Sequence, residues 1–243
     1  MRNTLTIASK EFKSYMASPM AYIVTGIFLL GTGAFFINFG SFETSVTSLQ
    51  TSISGFLGNS YYITLVILLA AVITMRLLAE EKKLGTLELL LTAPLRDSEV
   101  IIGKFLGSIG ILIVMLALTL YYPILLFWFG DPDIGPIVTG YIGLFLLGCA
   151  SLAVGIFTSS ITSNQIVSAV VAGGILLALW FIGMAVTVLP EALGEVIGFF
   201  SLSYYFSDFV IGVIDTRGII YYISITVLFL FLAIRSLENS RWS

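Results

Sequence analysis

Residues 104–158 read KFLGSIGILIVMLALTLYYPILLFWFGDPDIGPIVTGYIGLFLLGCASLAVGIFT. Beyond Lys104 two apolar runs continue without a charge on either side of the turn Gly130-Asp131-Pro132-Asp133-Ile134-Gly135-Pro136. A helix needs roughly 20 apolar residues to cross a hydrocarbon core of about 30 Å, and both runs reach that length. Prolines and glycines stop the first helix before the second begins. The stretch therefore predicts a tight transmembrane hairpin, with spans over 104–129 and 137–158. Outward from it, four more runs at 20–40, 61–79, 165–189 and 217–235 meet the same test. Their charges fall near the ends, as the cost of an ion in lipid requires. The expected fold is an all-α integral membrane protein of six spans, a single unit over residues 1–243.

Composition excludes most other classes. Hydrophobic residues make up 58% of the 243 and charged ones 10%, against roughly 45–50% and 25% in soluble domains. The mean hydropathy is +1.06, too apolar for a chain that must keep a charged, mixed surface in water. The net charge is −3 and the basic residues are scattered, so no stripe exists to neutralise a phosphate backbone and nucleic acid is not expected as a partner. Cys149 stands alone and there is no His, which removes internal disulfides, His-based catalysis and the commonest zinc ligand together. No GxxxxGK[ST] run is present, so any nucleotide chemistry belongs to another chain. No enzyme activity and no cofactor are expected on this one.

Cytoplasmic loops collect Lys and Arg, and this fixes the expected orientation. Arg2, Lys10, Lys13, Arg76, Lys82, Lys83, Arg96, Lys104, Arg235 and Arg241 fall on one side and Arg217 alone on the other. With seven acids on each side, the inner face carries +3 and the outer face −6. Both termini are expected in the cytoplasm. The N-terminal charged stretch lacks a signal-peptide cleavage pattern, so the first span is expected to be retained. Within residues 1–19, Leu5, Ala8, Phe12 and Tyr15 recur at helical spacing and Pro19 marks a break. That predicts a short amphipathic helix at the membrane surface, with a frayed, solvated tail as the alternative.

The loop at 80–99 is unusual for a connector. Gly85 ends the extension of span two, Thr86 starts a new turn, and Leu87, Leu89, Leu90 and Leu91 cluster beside Glu88 before Pro94. Asp97 or Ser98 is placed to cap span three, where the helix dipole favours an acid. Two destinations suit the exposed leucines, a protein partner and the lipid headgroups.

The run Arg76-Leu77-Leu78-Ala79-Glu80-Glu81-Lys82-Lys83-Leu84-Gly85-Thr86-Leu87-Glu88-Leu89-Leu90-Leu91-Thr92-Ala93-Pro94, followed by Gly103-Lys104-Phe105-Leu106-Gly107, resembles the signature of ABC-2 type permeases. It is most similar to the gliding-motility and copper-processing group. Supporting pieces are Gly155-Ile156-Phe157-Thr158-Ser159-Ser160 with Asn164-Gln165-Ile166-Val167, Phe200-Ser201-Leu202-Ser203-Tyr204-Tyr205, and Ile214-Asp215-Thr216-Arg217-Gly218 entering span six.

The resemblance implies the permease subunit of an ABC transporter in a bacterial inner membrane. It would pair with a second permease chain, identical or not, and with two ATPase subunits that carry ATP and Mg. It implies a coupling helix at 86–94, so that Glu80, Glu81, Gly85, Thr86, Leu87, Glu88, Leu89, Leu90, Thr92 and Pro94 would form the ATPase contact. Ser159, Ser160 and Asn164 would give a second, smaller cytoplasmic contact. Re-entrant helices at 190–215 would cap the outer end of the pathway, with Phe199, Phe200, Tyr204 and Tyr205 as the extracellular gate. An extracytoplasmic auxiliary protein fits the same scheme.

From the residues alone, the segment 190–215 also fits an ordinary aromatic belt. Gly103 and Gly107 form a GxxxG spacing, but among 23 glycines such matches arise by chance and no contact is assigned to it. Cys149 reads as an apolar filler. With no acid or His at membrane depth, proton-coupled transport is disfavoured. An ATPase-independent channel, a sodium-coupled carrier and a membrane scaffold are the competing readings.

Overall fold

The computed structural model describes residues 2–39, 57–58, 60–86, 96–129, 132–186 and 197–240. They form ten helices among the described residues: α1 (Arg2–Ala17), α2 (Pro19–Phe39), α3 (Ser60–Thr74), α4 (Ala79–Lys83), α5 (Asp97–Thr119), α6 (Tyr121–Phe129), α7 (Ile134–Ile161), α8 (Gln165–Val186), α9 (Leu202–Val210) and α10 (Thr216–Ser240). Six stretches are long and apolar enough to cross a membrane: Pro19–Phe36, Ser60–Lys83, Asp97–Trp128, Ile134–Ile161, Gln165–Gly183 and Thr216–Asn239. The six predicted spans are all present. Among the described residues, α1 and the C-terminal part of α10 lie at one end of the bundle, linked through α4 and Ser160, and this end is called the terminal face.

Local chemistry sets the breaks. Pro19 opens α2, where its missing N–H costs nothing, and Ser18 Oγ accepts from the Met20 N–H at 3.3 Å. Span three starts at Asp97 rather than 104, and its cap differs from the expectation. Arg96 occupies the cap position, its N–H donating to Glu99 Oε2 at 3.3 Å, while Asp97 lies inside the first turn. The same span is interrupted at Leu120, between α5 and α6. Pro123 explains this: it has no N–H for the Thr119 carbonyl and its ring crowds that oxygen. The hairpin turn closes onto α7 through Asp133, whose Oδ1 accepts from the Gly135 N–H at 3.0 Å.

α7 forms the centre, touching α3, α5, α8, α9 and α10. Of its membrane-length stretch 72% is buried, against 17% for span six, which leaves α10 mostly facing outward. Two helices pass close to α7 where it carries no side chain. A Cβ on Gly155 would stand 1.8 Å from Thr74 Oγ1, and one on Gly148 would stand 2.5 Å from Leu112 Cδ2. Small residues at such crossings bring backbones together and gain dispersion contacts, which drive helix association where lipid removes the hydrophobic effect.

Of the segment predicted to be re-entrant, residues 197–215 are described. Ser201 caps α9 by accepting from the Tyr204 N–H at 3.4 Å. α9 packs its Leu202, Phe206 and Phe209 face against α7, α8 and α10. Among the described residues of this segment, α9 is the short helix that lies at the face opposite α1.

Candidate functional site

Of the residues singled out by sequence, Glu80, Glu81, Gly85, Thr86, Ser159 and Ser160 come together at the terminal face, around the end of span two. There α3 ends at Thr74, residues 75–78 turn, and α4 resumes for five residues. Thr74 Oγ1 bonds back to the Ala70 carbonyl at 2.8 Å, as a helical hydroxyl does when it competes for the ladder. The backbone groups released by the turn are met by Ser159 of α7. Its Oγ donates to the Met75 carbonyl at 3.1 Å and accepts from the N–H groups of Leu78 at 3.1 Å and Ala79 at 3.0 Å. One hydroxyl thus closes the C-terminal side of one helix and opens the next.

Ser160 continues the link. Its carbonyl accepts from Lys82 Nζ and from Ser236 Oγ of α10, the latter at 3.3 Å, while its own hydroxyl donates to the Phe157 carbonyl at 2.7 Å. Both serine side chains are fully buried. Within the chain they brace α4 and α10 against α7. Asn164 remains exposed and caps α8, its Oδ1 accepting from the Ile166 N–H at 3.0 Å.

α4 carries the acidic pair. Glu81 Oε1 lies 2.7 Å from Lys104 Nζ, and Glu11 Oε1 lies 2.9 Å from the same nitrogen. Lys104 is 1% exposed. Because span three begins seven residues earlier than predicted, Lys104 sits two turns inside α5 and faces the bundle. Removed from water, the ammonium requires both carboxylates as compensation. The triad joins α1, α4 and α5.

α1 reaches this cluster by lying in a groove. A Cβ on Gly103, Gly107 or Gly110 would come within 2.8 Å of Ile7, Glu11 or Phe12 respectively. The Gly103/Gly107 spacing left unassigned in the sequence is the floor of this groove, extended by Gly110. The packing face of α1 is also rotated from the predicted one. Leu5 points outward at 65% exposure, and Ile7 and Glu11 turn inward with Ala8 and Phe12.

Beside the triad, the Arg76 guanidinium stacks 4.5 Å over the Tyr15 ring and donates to Ser18 Oγ at 3.3 Å. Burial pushes the Tyr15 phenol up to about 12, with the positive charge of the neighbouring Arg76 pulling the other way. Past α4, Gly85 adopts φ +70°, the left-handed conformation that glycine tolerates at a helix end. Thr86 Oγ1 donates to the Glu81 carbonyl at 3.3 Å. The other predicted contact residues, Leu87, Glu88, Leu89, Leu90, Thr92 and Pro94, lie outside the described residues.

The family model for the ABC-2 family transporter protein matches residues 5–235. The chain belongs to the ABC-2 transporter family. No match is found among curated proteins. As an ABC-2 membrane component, the chain is a multi-pass permease of an ABC transporter family, and its charged cluster lies at the base of spans two and three.

On the opposite face of the permease, the predicted gate residues divide. Phe199, Phe200 and Tyr204 are more than half exposed, whereas Tyr205 is buried with its ring stacked 4.4 Å from that of Tyr221. Tyr221 and Tyr222 of α10 donate to the carbonyls of Phe200 at 2.7 Å and Leu202 at 2.8 Å, tying α9 to span six. Among the described residues no group of three or more metal-ligating side chains exists.

Proposed function

We propose that the chain is the permease subunit of an ATP-driven ABC transporter in a bacterial inner membrane. Its termini would be cytoplasmic, and it would work with a second permease chain and two ATPase subunits supplying ATP and Mg. Within the ABC-2 family we place it with the gliding-motility and copper-processing permeases, on the strength of the run at 76–94. The observation that carries the reading is the build of α4. It leads through Gly85 into the apolar segment 87–91, and its base is tied to three other helices by Glu81 and by the Ser159 contacts.

A coupling element has to move its spans without absorbing the displacement itself. Force applied at residues 86–94 would pass from α4 to α5 and α1 through Lys104, and to α7 and α10 through Ser159 and Ser160. Such a bundle acts as a unit because packed interfaces shift between discrete arrangements and do not deform continuously. The consequence would be a reshaped surface between the two permeases, working as export or as mechanical work on an outer partner. Tyr204, Tyr205, Phe199 and Phe200 would gate the far end, and Asn164 would remain as the outward-facing part of the second contact.

The test is purification of the tagged chain from native membranes in mild detergent, with mass spectrometry of what it retains. The expected result is an ABC ATPase near one-to-one, lost from the Glu88→Arg, Leu90→Asp double variant. A preparation without an ATPase after crosslinking would replace this reading with a channel or sodium-coupled carrier.

A further inference from the structure

Between α1 and the inner end of span two lies a cavity of about 380 Å³, lined in part by Lys10, Tyr15, Ser18, Arg76, Glu80 and Glu81. Its size falls in the range of small-ligand sites. Two of its polar atoms are buried without a hydrogen-bond partner, Tyr15 Oη and Glu81 Oε2, and Tyr15 as a whole is only 7% exposed. One is a donor whose proton meets no acceptor, and the other is an acceptor that meets no donor. Buried polar groups left in this condition cost stability unless something supplies the missing partner.

The charges on the walls say what that partner is. Lys104 is taken up by Glu11 and Glu81, but among the described residues neither Lys10 nor Arg76 forms an ion pair with a carboxylate and Glu80 forms none with a cation. A guanidinium, an ammonium, a phenol and the Ser18 hydroxyl form a donor set for a phosphate ester. Glu80 and the open oxygen of Glu81 form an acceptor set for an ammonium. The cavity therefore presents both halves of a zwitterion. Its walls are an amphipathic helix and the end of a membrane span, the depth at which phospholipid headgroups sit and where basic pockets between spans bind them.

We propose that this cavity is a binding site for a phosphoethanolamine-type lipid headgroup, with phosphate toward Arg76, Lys10, Ser18 and Tyr15 and amine toward Glu80 and Glu81. Occupied, it would fasten α1 to span two through the lipid as well as through protein contacts. The proposal requires only that the chain spans a membrane, so it stands or falls apart from the ATPase reading.

The test is native mass spectrometry of the full chain released from nanodiscs containing equal parts of phosphatidylethanolamine, phosphatidylglycerol and phosphatidylcholine. Preferential retention of phosphatidylethanolamine is expected, by about tenfold over either alternative. Tyr15→Phe removes one hydroxyl and should weaken retention of phosphatidylethanolamine and phosphatidylglycerol together. Glu80→Gln should abolish the preference between those two while leaving overall retention. Arg76→Gln should lower both, and an unchanged melting temperature in lipid-free detergent would show that it still folds. Equal retention of the three lipids, or retention indifferent to Tyr15→Phe and Glu80→Gln, would overturn the site. Displacement by soluble phosphoethanolamine at the same concentration as the lipid would overturn its assignment to a membrane lipid.

Discussion

Ser159 Oγ stands 3.1 Å from the Met75 carbonyl while accepting the N–H groups of Leu78 and Ala79, so a side chain of span four completes the backbone of span two. Ser159→Ala strands two buried N–H groups and one half-buried carbonyl at once. An unsatisfied buried group costs about 1–3 kcal/mol, and partial relaxation of the turn should hold the total near the upper part of that range. The expected outcome is a lower unfolding midpoint in detergent together with faster amide exchange confined to residues 75–79. Faster exchange spread evenly over span two would instead mean that the turn is stabilised by packing alone.

Lys104 gives a second prediction, in which the order of variants matters. Glu81→Gln leaves Glu11 on the ammonium and should destabilise mildly. Lys104→Ala leaves two carboxylates facing each other where an ammonium stood, and breaking a buried pair typically costs about 3–5 kcal/mol. Adding Glu11→Gln and Glu81→Gln to Lys104→Met should recover most of that loss, because no uncompensated charge remains. Unfolding measured across the set by a double-mutant cycle checks this; additivity within error would show that the three groups do not interact.

The six spans were legible because lipid forbids charge over a long run, and that prohibition is written contiguously in the chain. What failed to show was whatever depends on a distant partner. Nothing in the residues around Met75 interrupts a helix, and the break there is supported by a hydroxyl 81 residues from Leu78. Lys104 read as a span-end charge because its partners lie 93 and 23 residues away. On α1, hydrophobic spacing favoured a face containing Leu5, whereas the structure turns Glu11 inward toward Lys104 and Leu5 out. At the outer end the sequence picked the aromatic cluster but not that Tyr205 alone of the four is packed inside.

The groove under α1 supplies a third prediction. Gly107→Val places branched carbon where Glu11 Cβ is already 2.8 Å from an ideal Cβ, with the Ala8 carbonyl oxygen at 3.2 Å. Neither neighbour is the free end of a flexible side chain, so α1 must lift, and the Lys104–Glu11 contact goes with it. Limited proteolysis should then cut between α1 and α2 well before the spans are attacked. Gly26→Val, at a position where nothing lies within 4 Å, is the control and should leave the digestion pattern unchanged.

The crossing of spans two and four yields the last prediction, one that can be rescued. A methyl on Gly155 would overlap Thr74 Oγ1 at 1.8 Å, and Thr74 is fully buried at the end of α3, immediately before the turn. Overpacking of this kind typically costs about 1–3 kcal/mol. Here it also separates α3 from α7 just where Ser159 must reach Met75, one helical turn further along α7. Gly155→Ala should therefore lower the unfolding midpoint and accelerate amide exchange at 75–79, reproducing the Ser159→Ala signature without touching that hydroxyl. Thr74→Ala in the same chain removes the colliding oxygen, and its own back-bond to Ala70 is dispensable because the helix ladder already satisfies that carbonyl. The double variant should recover part of the stability and the slow exchange, because Thr74 Cβ would still stand 2.8 Å from the new methyl. If Thr74→Ala gave no recovery, the close approach of the two helices would not be what positions Ser159.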